Sequence, residues 1–160
     1  MMLNETVLQK LADWRPSGER QTLNLPGAAP GWALAVTADR NDELGCLAWE
    51  LGFQRTGPAA SQPSLAGWAQ RVAERVTGLL EPLKVVEVDT LRQEALLRSK
   101  EPFHRQDKLF YYEVLLKNDS RASIRRFKAS EQGSERREQV AFALTHEALA
   151  KLAIDLTTDQ

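Results

Sequence analysis

At 160 residues the chain fits one domain that can bury a core without disulfides or metals. Its 42% hydrophobic and 27% charged fractions are those of a folded globular chain rather than a disordered one. A net charge of −1 lacks the basic excess of a dedicated nucleic-acid binder, and no apolar run approaches the ~20 residues of a spanning helix.

The start of the chain is polar and acidic rather than basic-then-apolar, so it does not read as a signal peptide. The lone cysteine, Cys46, rules out an internal disulfide and reads as a small half-buried strand residue. Together these features point to a reducing cytoplasm.

Residues 3–14 have helical spacing, with Asn4 as cap, Val7, Leu8, Leu11 and Ala12 on one stripe, and Pro16 and Gly18 as the stop. Residues 22–25 alternate briefly before Pro26-Gly27. Residues 31–40 and 46–54 then form a hairpin around a polar turn. The second of these runs places Leu47, Trp49, Leu51 and Phe53 on one face. This parity predicts a cross-strand Trp32–Trp49 contact in the core, with Trp68 packed above it.

After a Pro/Ser-rich loop, 65–80 form the strongest helix. Leu65, Trp68, Ala69, Val72, Val76, Leu79 and Leu80 make one stripe, Ser61 or Ser64 caps it, and Pro82 ends it. Residues 83–99 read as one long strand whose apolar parity changes. A bulge at Asp89-Thr90 reconciles the two halves, with a short helix over 91–97 as competitor. A polar connection over 100–107 leads to 108–117, apolar on both faces and so a central strand. A charged strand over 122–129 and an alternating strand over 137–144 follow, then a helix capped by Thr145 with Glu147 in its first turn.

The expected architecture is therefore α+β, in the order α-β-β-β-α-β-β-β-β-α. It comprises an antiparallel sheet of about six or seven strands, mostly meander and hairpin, with three helices on one face. Residues 1–160 read as one domain.

Enzyme motifs are absent: there is no phosphate-cradling glycine pattern, Cys-x-x-Cys, His-Glu-x-x-His or Gly-x-Ser-x-Gly. No cofactor or metal is implied. His146 beside Glu147 could serve as an oriented base, although a helix-start residue has the same spacing. His104 falls in a polar loop and reads as solvated. Glu87 and Asp89 share a strand parity about 7 Å apart, which suits paired carboxylate chemistry or simply a solvent face. Between Arg92 and Arg137, twelve basic side chains stand against seven acidic ones. Arg125, Arg126, Phe127 and Lys128 concentrate that excess on one strand, as a surface for an acidic partner or as a charged edge strand that discourages aggregation. Trp14, closing the first helix, is a further partner or dimer contact.

The element order is similar to that of the small bacterial type III secretion chaperones, and the resemblance rests on that order alone. It implies a dimeric α+β protein that holds an unfolded stretch of an effector.

Two readings compete. The first is a non-enzymatic protein-binding, adaptor or chaperone-like module, possibly homodimeric, that contacts a protein partner through Arg125, Arg126, Phe127, Lys128 and Trp14. The second is a small-molecule-binding or hydrolytic domain with a pocket between sheet and central helix, lined by Glu87, Asp89, Tyr111 or Tyr112, and His146.

Overall fold

The fold comes from a computed structural model, which describes residues 5–58, 64–79, 81–133 and 136–158. In chain order it comprises α1 (Glu5–Asp13), β1 (Gln21–Ala29), β2 (Trp32–Asn41), β3 (Gly45–Arg55), α2 (Leu65–Arg75), β4 (Leu83–Asp89), β5 (Glu94–Ser99) and β6 (Phe103–Arg105). Then come β7 (Lys108–Lys117), β8 (Arg121–Ser130), β9 (Glu138–Val140), β10 (Phe142–Thr145) and α3 (His146–Thr157). The protein is α+β as expected. Its strands form one antiparallel sheet ordered β1-β2-β3-β8-β7-β5-β4, with β6 beside β7, β9 beside β8 and β10 beside β3.

The main path has seven strands, within the expected six or seven, and among the described residues β6, β9 and β10 add to it through local reversals that apolar patterning does not display. The stretch 83–99 is a hairpin, β4–β5, and neither a bulged single strand nor a helix over 91–97. Its parity changes because the chain turns back. The Asp89 carboxylate accepts the N–H groups of Leu91 and Arg92 at 3.1 and 3.0 Å, and Gln93 takes φ 56°. The pairing does contain an irregularity, between Val85 and Glu87. The expected polar connection at 100–107 holds a second small hairpin, β6–β7, whose two-residue turn has Gln106 at φ 56°.

The expected strand over 137–144 is divided for a different reason. β3 and β8 pair only from Leu51–Gln54 to Arg121–Ile124 and then separate. The chain fills the gap, pairing with β8 as β9 and crossing at Ala141 to pair with β3 as β10. Each exposed ladder thus finds a partner. Gly45 permits the approach, since a Cβ there would lie 2.8 Å from the Leu144 carbonyl oxygen.

All three helices contribute to one core with the inner face of the sheet, including Leu11 from α1, Trp68 and Val72 from α2, and Leu149, Leu152 and Leu156 from α3. Ser64 caps α2 by accepting the Gly67 N–H, and the indole N–H of Trp68 donates to the Leu156 carbonyl at 3.1 Å, joining α2 to α3. α2 ends at Arg75, five residues before the expected limit. Val76 and Thr77 are β-branched and Gly78 is a poor helix former, while Val76 and Leu79 stay buried without helical geometry.

Trp32 meets Trp68 at 5.9 Å between ring centroids, as the pattern predicts. Trp49 does not join them, because Trp32 pairs with Arg55, six residues further along β3. The β2–β3 register slips between Thr37 and Ala38, so that Cys46, Ala48, Leu51 and Phe53 face inward while Leu47 and Trp49 are turned outward. The Arg20 guanidinium lies 3.5 Å from the Trp49 ring centroid. Among the described residues, no helix is long and apolar enough to cross a membrane.

Candidate functional site

The outer face of the sheet, opposite the helices, carries an arginine cluster assembled by strand register. Glu113 on β7 stands between Arg98 on β5 and Arg125 on β8, and Tyr111 pairs with Phe127 in the next outward-facing row. The link after β8 returns Arg137 to the same place. Glu113 Oε2 accepts Arg98 Nε at 3.0 Å and Arg137 Nη1 at 2.5 Å, and Oε1 accepts Arg137 Nη2 at 3.4 Å. This hydrogen bonding to Glu113 raises the pKa of Arg137 further. Glu113 is only 5% exposed because the arginines cover it, while the Arg98 and Arg137 side chains remain 39% and 40% exposed.

Aromatic rings fix the cations from below. Tyr111 and Phe127 stack at 5.9 Å, the Arg137 guanidinium lies 3.9 Å from the Phe127 centroid and that of Arg125 5.6 Å from the same ring, and Arg98 lies 5.6 Å from Tyr111. Three guanidiniums therefore surround one carboxylate. Among the described residues, Arg125 has no hydrogen-bond or ion-pair partner, and Arg98 engages Glu113 through Nε alone. Such a cluster can accept a further anion through charge-assisted hydrogen bonds.

Strand alternation divides the basic segment expected to act together. Arg125 and Phe127 belong to the outer cluster, whereas Arg126 and Lys128 point to the helix side. Arg126 is buried against Glu81 at 3.1 Å. Glu81 also accepts the Ser99 hydroxyl at 3.0 Å, and Ser99 Oγ accepts the Tyr112 backbone N–H at 2.8 Å. The Arg126 guanidinium covers the Tyr112 ring at 4.2 Å, and Tyr112 meets Phe142 edge-on at 5.5 Å. Lys128 pairs with Glu138 at 3.2 Å. The edge-strand expectation for this segment is corrected: β8 lies inside the sheet between β7 and β3 with β9, and the end strands are β1 and β4.

A groove of about 610 Å³ opens beside the buried pair, lined by Phe103, Phe110, Pro102, His104, Glu81 and Arg126 among others. Phe103 is 53% exposed, and His104 reaches Glu131 at 2.7 Å.

The other singled-out residues lie apart from both clusters. His146 begins α3 and its Nε2 lies 2.8 Å from Asn41 Oδ1, while Asn41 Nδ2 donates to the carbonyls of Leu11 and Trp14 at 2.8 and 2.7 Å. Both amide hydrogens of Asn41 are thus used, so its oxygen accepts and His146 Nε2 carries the proton. Burial lowers the His146 pKa, against the opposing pull of Asp42. This clasp joins the end of α1 to the start of α3. Trp14 is half-buried against the core. The nearby Cys46 thiol is pushed up to about 11 by burial, which leaves it protonated and unreactive at neutral pH. Glu87 and Asp89 border a small outer-face cleft of about 140 Å³ at the β4 end, where Asp89 is occupied in its turn. Among the described residues, no cavity gathers Glu87, Asp89, Tyr112 and His146, and no cluster of three or more His, Cys, Asp or Glu could hold a metal.

No family model, curated protein or solved structure matches the chain.

Sequence reasoning missed Arg98, Glu113 and Arg137 as members of one site. Each lies on a different element, and only the β5-β7-β8 order brings them together. The available signal was parity: Tyr111, Glu113, Arg125 and Phe127 alternate outward opposite the apolar inner set.

Proposed function

We propose that this protein is a non-enzymatic binding module, adaptor or chaperone-like in role, whose outer sheet face holds an acidic segment of a protein partner. The observation that carries this reading is the excess of three guanidiniums, Arg98, Arg125 and Arg137, over one carboxylate, Glu113, with half-exposed arginine side chains resting on the stacked Tyr111 and Phe127 rings. Complementary charge steers such a partner and fixes its register. The near-neutral net charge confines the attraction to this face rather than spreading it over the molecule. The module would act in the cytoplasm with Cys46 reduced, and a homodimer would form at the end strands β1 or β4.

Affinity capture from native extract with the wild-type protein and with Arg125→Glu tests the reading. A partner bearing an acidic segment, retained by the former and lost from the latter, is the expected result. A short oligoglutamate peptide should show the same difference in fluorescence anisotropy. Equal retention and equal peptide binding by the two proteins would remove the outer face from consideration.

A second reading, a small-ligand site, is favoured by the groove beside Arg126, where an exposed Phe103 packs on Phe110 at 6.2 Å. A thermal-shift screen against aromatic small molecules, repeated with Phe103→Ala, decides it. Stabilisation that disappears in the variant supports a ligand site, and its persistence in the variant rejects it.

A further inference from the structure

The charge and geometry of the outer cluster select among anions. Arg98 and Arg137 reach the same Glu113 oxygen, at 3.0 and 2.5 Å, so their guanidiniums converge on one point. Arg125 is the direct cross-strand neighbour of Glu113 and shares the Phe127 ring with Arg137. Each guanidinium is braced by a ring, and this reduces the ordering entropy that binding an anion would otherwise cost. With Lys84, the cross-strand neighbour of Arg98 on β4, and Glu50, one place beyond the Leu51–Ile124 pair on β3, four positive charges stand against two negative ones, an excess of two.

A carboxylate would cancel half of that excess. A phosphate monoester carries about −1.5 to −2 at neutral pH and presents three acceptor oxygens to guanidinium forks. The donors available to it are the Arg125 guanidinium and the Nη groups of Arg98, neither of which has a hydrogen-bond partner among the described residues. The cluster lies on a sheet face rather than in a deep cavity, so it suits a group presented by an extended chain. A phosphodiester backbone brings only one charge per unit, and the chain as a whole lacks the basic excess that holds nucleic acid.

Resting on the binding-face reading above, we propose that Arg98, Arg125 and Arg137 form a site for a phosphate monoester, presented as a phosphorylated side chain of the acidic partner.

The test uses the full chain and two labelled Glu-rich peptides that differ only in a central phosphoserine or serine. The phosphorylated peptide should bind about tenfold more tightly, the loss expected when a hydrogen bond to a charged group is removed. That preference should vanish in Arg125→Ala, whose melting temperature serves as the folding control. Affinity for the phosphopeptide should also rise between about pH 5 and about pH 7.5 as the ester takes its second negative charge near pH 6. The protein groups facing it are Lys84 on β4, Arg98 on β5, Tyr111 and Glu113 on β7, Arg125 on β8, Glu50 on β3 and Arg137 before β9, and the guanidiniums stay charged throughout.

Equal affinity for the two peptides would overturn the phosphate site and leave the acidic-segment reading standing. Failure to bind either would overturn both. Displacement of the phosphopeptide by a single-stranded oligonucleotide at lower concentration would overturn the protein source of the phosphate.

Discussion

Arg125 and Arg126 are neighbours on one strand, yet they belong to two ionic clusters of opposite character. The inner one is closed: Arg126 and Glu81 are about nine-tenths buried, paired to each other and completed by Ser99. The outer one is open: cations exceed the carboxylate, two of the arginine side chains are about 40% exposed, and Arg125 is held only by a ring. The buried pair, with Arg126 Nη1 bonded to both Glu81 oxygens, secures where β8 meets the segment before β4 and is balanced in charge. An unbalanced, partly exposed cluster contributes less to stability than a buried pair and keeps donors available.

The sharpest way to break this contrast is to remove one partner of the inner pair. Arg126→Ala leaves Glu81 as a buried unpaired charge and should cost about 3–5 kcal/mol in urea unfolding. Replacing both members, Glu81→Leu with Arg126→Met, should recover most of that loss, because the penalty belongs to the orphaned charge rather than to the pair. If the single variant is nearly neutral, the inner cluster is not closed in solution.

Next in size is Glu113→Gln on the outer face. It removes the carboxylate that two arginines share and should cost about 1–3 kcal/mol in the same measurement, less than the inner deletion because water reaches those arginines.

Smaller again is a pH effect from the inner side. The folded protein favours neutral His146, so its pKa lies below the unfolded value of 6.5. Unfolding therefore takes up a proton. The stability from this residue is present above pH 6.5 and is lost as pH falls through the lower folded pKa. Melting temperatures should decline from neutral pH into the acid range, and His146→Gln, which keeps an N–H donor for Asn41, should flatten that slope.

The smallest stability effect, within about 0.5 kcal/mol, is expected for Arg125→Ala, measured by thermal unfolding. Should it instead match the loss in Glu113→Gln, Arg125 is part of the structural brace and not a free donor.

Much of the fold was legible because its signals are local. The stripe Leu65, Trp68, Ala69 and Val72 marks α2, the Ser64 and Thr145 side chains cap α2 and α3, and the run over 108–117, apolar on both faces, marks a central strand. The hairpin β4–β5 was illegible because a tight turn and a bulge both appear as a change of parity. The position of Trp49 was illegible because one slipped residue in the β2–β3 pairing exchanges the faces of everything before it. The outer site was half legible: Arg125 and Phe127 stood out by charge and aromaticity, but Arg126 and Lys128 stood out equally, and only alternation across β8 separates them.

The sequence by itself determined the element types, the antiparallel pairing forced by short polar turns, and which side chains are chemically suited to anions. These depend on periodicity, capping and residue chemistry, which act over a few neighbouring residues. Tertiary structure decided that β8 lies inside the sheet rather than at its edge, that one carboxylate is shared by Arg98 and Arg137 with Arg125 beside it, and that Arg126 is buried. Those outcomes depend on strand order, which is chosen by how the whole apolar surface is buried at once and is encoded in no single segment.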